Sequence, residues 1–194
     1  EAAEDMYYLA NLDTDETIDS RALRSVKLRA PWLMFNLLTA LLVATTVELF
    51  FFSISQFVAL ASMMPIVALV GGNAGNQSLT VVVRALALGE ISLQQNWKVL
   101  IKEVGVGMLN GFLVGAVMAI IAYVWYKNLW LSGIIWAAMT LNLVIAGLFG
   151  SMVPIFLRKM KLDPALGSSI FVTTATDVGG FFIFLGLADR KSVV

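Results

Sequence analysis

Five long apolar segments, separated by short polar stretches, dominate the hydropathy pattern of this chain. Each contains about the 20 residues that a helix needs to cross a bilayer. The apolar runs are continuous, which is unlike the alternating pattern of strands in a transmembrane barrel. The sequence therefore predicts an all-α membrane protein with five transmembrane helices, at about residues 32–52, 57–83, 104–125, 131–157 and 168–187.

The composition supports this class and narrows the chemistry. The chain is 59% hydrophobic and 13% charged, whereas soluble domains average about 25% charged residues. It contains no Cys and no His, so thiolate and imidazole metal ligands are excluded, together with imidazole-based catalysis, and no enzyme activity is indicated. A bound metal would have oxygen ligands, which favour hard cations such as Mg²⁺ or Ca²⁺. No basic patch points to a nucleic-acid partner.

The charged residues are unevenly distributed. Seven of the thirteen acidic residues lie in the first nineteen positions, and four basic residues follow before position 30. Residues 1–30 are either an amphipathic helix on the membrane surface or a solvated linker, and the pattern leaves both open. Five spans with the N-terminus inside place ten basic residues in the cytoplasm and three outside (Lys127, Arg190 and Lys191). The positive-inside rule thus predicts an N-in, C-out topology in a lipid bilayer.

The last apolar segment carries a single carboxylate, Asp177, roughly 13–15 Å from either end of the predicted helix. An ionised group at that depth costs at least about 2.5–3.5 kcal/mol on insertion scales, so intramembrane acids usually serve a function. Ser169 and Thr173 share its helix face at intervals of four residues, and Thr176 is a neighbouring candidate. No basic residue is expected at this depth, which indicates a mobile cation as the partner. Two Asp177 side chains in a two-fold homodimer would offset a divalent charge.

The second apolar segment is interrupted by Gly-Gly-Asn-Ala-Gly-Asn-Gln at residues 71–77. One interpretation is a broken helix that offers backbone and side-chain oxygens to an ion. The other is a continuous helix whose glycines permit close packing. Both place this stretch against another helix, and the candidate ion-path residues here are Gly71, Gly72, Asn73, Asn76 and Gln77.

Three further features have mainly structural interpretations. Glu48 lies near the far end of the first span, where it either reaches the membrane surface or contributes to the ion path. Asn142 is the one strongly polar residue inside the fourth span, and we expect it to form an interhelical hydrogen bond rather than to contact an ion. Gly107, Gly111 and Gly115 recur every four residues, which is a helix-packing pattern.

Several stretches resemble the MgtE family of bacterial magnesium channels over nearly the whole chain. They are PIVALVGGNAGNQS at 65–78, TVVVRALA at 80–87, DPAL at 163–166 and TDVGGFF at 176–182. The resemblance implies a homodimer of five-helix subunits with a pore at the dimer interface, lined by the second and fifth helices. It implies that Asp177 binds hydrated Mg²⁺ and that Asn73 lines the pore. Ser169 and Thr173 depart from the residues of some relatives, so details of selectivity stay open.

The expected function is therefore a Mg²⁺-selective channel in the bacterial inner membrane, with Mg²⁺ as the transported ion. The alternatives are a proton-coupled secondary transporter of divalent cations and a non-transporting membrane scaffold. We expect two parts, a linker or plug-type helix at residues 1–30 and a pore domain at residues 31–194. The cytoplasmic N-terminal and CBS domains of the family are not in this sequence, so we expect either a piece of a longer protein or a naturally short relative.

Overall fold

The computed structural model describes residues 2–10, 12–91 and 96–189, and every regular element within these ranges is a helix. Five of the helices are long and apolar enough to cross a membrane, as predicted. The helices are α1 (Ala2–Leu9), α2 (Ala22–Glu48), α3 (Phe51–Gln56), α4 (Ala59–Ala87), α5 (Asn96–Tyr126), α6 (Leu129–Lys159) and α7 (Ser168–Asp189).

The helices extend further toward one end of the bundle than the hydropathy pattern predicts. α2 begins at Ala22, ten residues before the start of the predicted first span, and it contains Pro31 in its interior. Proline removes one helical hydrogen bond, and the carbonyl that it leaves free lies four residues earlier, at Lys27, in the polar part of the helix. Residues between the predicted second and third spans are also partly helical, because α4 continues to Ala87 and α5 begins at Asn96.

α4 is one continuous helix through residues 71–77, so the structure decides between the two interpretations of this motif. Its glycines allow close packing and do not mark a break. A Cβ at Gly75 would lie 2.5 Å from Val172 Cγ1 on α7. From α6, a Cβ at Gly150 would lie 2.6 Å from the Gly75 carbonyl oxygen.

α6 is the central helix, in contact with α4, α5 and α7. The predicted packing role of the α5 glycines is confirmed: a Cβ at Gly111 would lie 2.7 Å from Thr140 Cα, and one at Gly115 would lie 2.9 Å from the Trp136 carbonyl oxygen. Gly107 meets the backbone of Leu143 in the same way. Small residues let the two backbones approach closely, which is how helices gain contact area in a membrane.

The N-terminal segment packs against one end of the bundle. Tyr8 and Leu9 contact a small apolar cluster that includes Leu79 of α4 and Val172 of α7. Glu16, only 5% exposed, accepts hydrogen bonds from Nε of Arg29 at 2.8 and 3.0 Å and another from Nη2. These bonds lower the pKa of Glu16 below its ordinary value near 4.5.

Candidate functional site

A groove runs along the outer face of the bundle between α4 and α7. Its volume is about 340 Å³, and it is open along one side. The α4 residues that line it recur at intervals of three and four positions, so they form one continuous stripe on that helix. The lining residues are Pro65, Ala68, Leu69, Gly72, Asn73, Asn76, Thr173 and Asp177. Of these described residues none is basic, so the groove holds one acid and three neutral polar side chains.

Asp177 lies in the middle of α7, nine residues after Ser168 and twelve before Asp189. At about 1.5 Å rise per residue, these separations correspond to roughly 13 and 18 Å along the helix axis. The side chain is half-buried, and Thr173 lies one turn away on the same face. Asn73 is exposed and Asn76 is half-buried on the facing side of α4. The carboxylate is therefore accessible from the side of the bundle, with carboxamides opposite it.

Asn142 of α6 lies between α4 and α7 and contacts both helices. Its side chain is fully buried, and Nδ2 donates a 2.9 Å hydrogen bond to the Val67 carbonyl of α4. This is the interhelical bond that the sequence predicts. The amide group lies directly against Gly71 of α4 and Gly180 of α7; a Cβ at Gly180 would be only 2.7 Å from Nδ2. Glycine at both positions is what allows α4 and α7 to close around this side chain.

Comparison with known proteins supports the assignment suggested by the sequence motifs. The family model "MgtE: Divalent cation transporter" matches residues 64–187, a range that contains every residue of the groove. The chain belongs to the MgtE family. The family is one of membrane transporters, not of enzymes.

Three curated relatives named magnesium transporter MgtE are similar to almost the entire chain. Those of Bacillus subtilis and Enterococcus faecalis are each 32% identical to it, and that of Thermus thermophilus is 34% identical. Each alignment covers 97% of this chain. The chain spans 42% of the length of each of these relatives, so more than half of each relative has no counterpart in it.

The structure brings only some of the sequence-predicted residues of this MgtE chain into the groove. Gly72, Asn73, Asn76, Thr173 and Asp177 line it together. Two others are buried within the chain instead. Gly71 is covered by the Asn142 side chain. The hydroxyl of the fully buried Thr176 donates a 2.9 Å hydrogen bond to the Thr173 carbonyl of its own helix.

The remaining candidates lie elsewhere. Ser169 is half-buried one turn before Thr173 and is outside the groove lining. Gln77 is exposed on a different side of α4, where it lines a second cavity. Glu48 is the last residue of α2 and has an exposed side chain. A role for Glu48 in the ion path stays a prediction.

Sequence reasoning missed the apolar part of the groove, formed by Pro65, Ala68 and Leu69. The signal was available, because these positions continue the helical stripe of Asn73 and Asn76 toward the start of α4. It could be used only once the helix was known to be continuous. In the part of the chain that the structure describes, no three acidic side chains come together. A cation in this groove would thus meet one carboxylate of the described residues, that of Asp177.

Proposed function

We propose that this chain forms the pore of a Mg²⁺ channel, in which two copies meet face to face at the groove between α4 and α7. Asp177 of each copy would then bind the ion from opposite sides of a two-fold axis. The ion would pass between the groove faces, which become the wall of the pore. The monomer has half a pore, open to lipid.

The observation that supports this proposal most strongly is the position of Asp177. A carboxylate lies mid-way along an apolar helix, accessible from the outer face of the bundle, with two carboxamides opposite it. Facing lipid, an ionised Asp177 would cost at least about 2.5–3.5 kcal/mol. A second copy removes the groove from lipid and supplies a second carboxylate, and a divalent cation between the two balances both charges.

The chemistry of the groove favours an ion that keeps its water. Mg²⁺ dehydrates reluctantly and usually retains several waters while one or two carboxylates bind it. Six waters, at about 30 Å³ each, would need roughly 180 Å³, and one groove provides about 340 Å³. Asn73, Asn76 and Thr173 would hydrogen-bond to these waters. The names of the three relatives are consistent with Mg²⁺ as the transported ion.

For the orientation we propose N-in and C-out in the bacterial inner membrane. If each long helix crosses once, ten described basic residues lie at the end of the bundle where α2 begins, and Lys127 lies at the other end. Arg190 and Lys191, the other two basic residues in the topology argument, lie outside the described residues. We propose that residues 1–30 link the pore domain of residues 31–194 to cytoplasmic regulatory domains, the N-terminal and CBS domains of the family.

The first test is Mg²⁺ flux into liposomes that contain the purified protein and a Mg²⁺-sensitive dye. Asp177→Asn removes the charge at nearly constant volume, and we expect it to reduce flux at least about tenfold. Glu90→Gln is the matched control, since it removes an exposed carboxylate beyond the end of α4, and its flux should equal that of the wild type. Equal flux through Asp177→Asn and Glu90→Gln would contradict the proposal.

A proton-coupled transporter is the alternative mechanism, with Asp177 exchanging a proton for the cation. It is separated from a channel by imposing a pH gradient while Mg²⁺ is equal on both sides and the membrane potential is clamped at zero. A channel gives no net Mg²⁺ movement under these conditions. Mg²⁺ accumulation driven by the pH gradient would establish coupling instead.

The dimer is tested by cysteine cross-linking, which this chain favours because it contains no native Cys. Asn73→Cys should form a disulfide-linked dimer in the membrane under mild oxidation, because the two grooves face each other. Leu113→Cys is the control, as Leu113 is 63% exposed on α5, away from the groove. Cross-linking at position 113 but not at position 73 would exclude the proposed interface.

A further inference from the structure

A second cavity, whose lining includes several polar side chains, lies on another side of α4, away from the Asp177 groove. It has a volume of about 210 Å³, is partly open, and is lined by residues of α4, α5 and α6. Gln77, the last residue of the glycine-rich motif, lines this cavity and not the groove. The other polar lining residues are Ser78 of α4 and Lys102, Glu103 and Asn110 of α5.

Glu103 is the one acidic side chain in the lining of this cavity, and only 4% of its surface is exposed. It lies seven residues into α5, roughly 10 Å along the axis from the start of that helix. The close approach of α5 to α6 explains the burial, because a Cβ at Gly147 would lie 2.8 Å from the Glu103 carbonyl carbon. A buried carboxylate needs a cation or hydrogen-bond donors to stay ionised.

The partner in this structure is the neighbouring residue on the same helix. Lys102 Nζ lies 2.9 Å from Glu103 Oε1, while the Lys102 side chain is 63% exposed. Adjacent residues of a helix do not face each other, so the Lys102 side chain must bend along the helix surface to make this contact. The Lys102 ammonium is exposed and on a flexible side chain, so a free cation could replace it as the partner of Glu103. The ammonium occupies the position beside the carboxylate that such a cation would take.

We propose that this cavity is a second cation site, with the Glu103 carboxylate as its charged ligand and oxygens of Gln77, Ser78 and Asn110 as neutral ligands. The donor set is all oxygen, which selects a hard cation. The ion is a small monovalent one, because the site has one carboxylate and the ammonium that the ion replaces carries one charge. Binding displaces Lys102 toward water.

Such a site also restrains α4. Gln77 directly follows Asn76, which lines the Asp177 groove. An ion that holds Gln77 against α5 therefore limits rotation of the helix that presents Asn73 and Asn76. The cavity and the groove are chemically separate, so this inference does not depend on which ion passes along the groove.

The test is the stability of the purified protein in lipid nanodiscs as NaCl replaces N-methyl-D-glucamine chloride at constant ionic strength. We expect the unfolding midpoint to rise with Na⁺ in a saturable, single-site manner, because a ligand that binds only the folded state stabilises it. Glu103→Gln should abolish this response. Lys102→Met removes the competing ammonium and should lower the half-saturating Na⁺ concentration at least threefold.

Lys98→Met is the matched control for the lysine variant, since it removes the same charge from an exposed position of α5 outside the cavity. Its half-saturating concentration should equal that of the wild type. If Glu103→Gln does not fold, Gln77→Met provides the ligand test and should raise the half-saturating concentration. If the variant tested, Glu103→Gln or in its place Gln77→Met, responds to Na⁺ as the wild type does, the proposal is overturned. An equal shift in Lys102→Met and Lys98→Met would overturn it too, and so would a response to Mg²⁺ without one to Na⁺.

Discussion

The two adjacent glycines of the GGN motif should respond differently to the same substitution. A Cβ at Gly71 would lie 3.0 Å from Asn142 Cγ and 3.2 Å from its Oδ1, with Nδ2 closer still. A Cβ at Gly72 would lie 3.7 Å from Thr173 Cγ2, an ordinary contact. Gly71→Ala therefore collides with a buried amide, whereas Gly72→Ala places a methyl group at the edge of the groove.

The expected free-energy changes follow from these contacts. Asn142 cannot retreat, because Gly180 of α7 lies directly against the same amide group. Overpacking of this kind costs about 1–3 kcal/mol, and a strained or broken bond from Asn142 to Val67 adds about 0.6 kcal/mol. Because alanine has a higher helix propensity than glycine, the substitution also stabilises the helix by up to about 1 kcal/mol at either position. Gly71→Ala should thus destabilise the protein by about 0.6–3.6 kcal/mol, and Gly72→Ala should leave it equally stable or slightly more stable.

The measurement is equilibrium unfolding in mixed micelles by SDS titration, followed by tryptophan fluorescence. Equal unfolding free energies for Gly71→Ala and Gly72→Ala would refute the packing argument. A double variant provides a second check. Asn142→Ala removes the group that the new methyl meets, so Gly71→Ala should cost less in that background, with a coupling energy of about 0.5–3 kcal/mol. Strict additivity of the two substitutions would mean that the Asn142 amide is not the obstacle.

Two other predictions concern the segment before α2 and the first turn of α6. The bond to Arg29 lowers the pKa of Glu16, so its stabilising effect is complete above the unfolded pKa near 4.5 and disappears as the pH falls through the lower folded value. The hydrogen-exchange protection factors of residues 12–20, which are rates corrected for the intrinsic pH dependence of exchange, should therefore fall on acidification below about pH 4.5. Glu16→Gln should show low protection at every pH, and identical pH profiles of protection in the two proteins would contradict a role for this bond. At the start of α6, Asn128 Oδ1 accepts from the Trp130 and Leu131 amides at 3.0 and 3.1 Å. Asn128→Ala should cost about 1 kcal/mol in the same SDS titration while Asn128→Asp stays within a few tenths, and equal stability of both variants would exclude a capping role.

The five long apolar helices and the position of Asp177 within the last of them could be predicted from the sequence, because both depend on local properties. A continuous run of about 20 apolar residues has few alternatives to a membrane helix. One carboxylate within such a run stands out whatever surrounds it. The bond of Asn142 was predictable for the same reason, since a lone carboxamide in an apolar helix must find a partner on another helix.

The path of the helix through residues 71–77 was not predictable in this way. The same glycines are compatible with a break and with close packing, and the choice depends on what lies opposite them. The structure places Asn142 against Gly71 and Val172 against Gly75. These close contacts require glycine at both positions, so in this structure the glycines serve the packing of a continuous helix.

The division of polar residues between two cavities also required the tertiary structure. Gln77 and Asn76 are adjacent in sequence, yet they line different cavities. Thr176 is next to Asp177, yet it is fully buried against its own helix. Neighbouring residues of a helix point about 100° apart, and only the packing of α4, α6 and α7 determines which direction faces protein and which stays open. The sequence by itself thus determined that one carboxylate lies within a long apolar helix, because both features are local. The packing of the helices decided which side chains lie beside it.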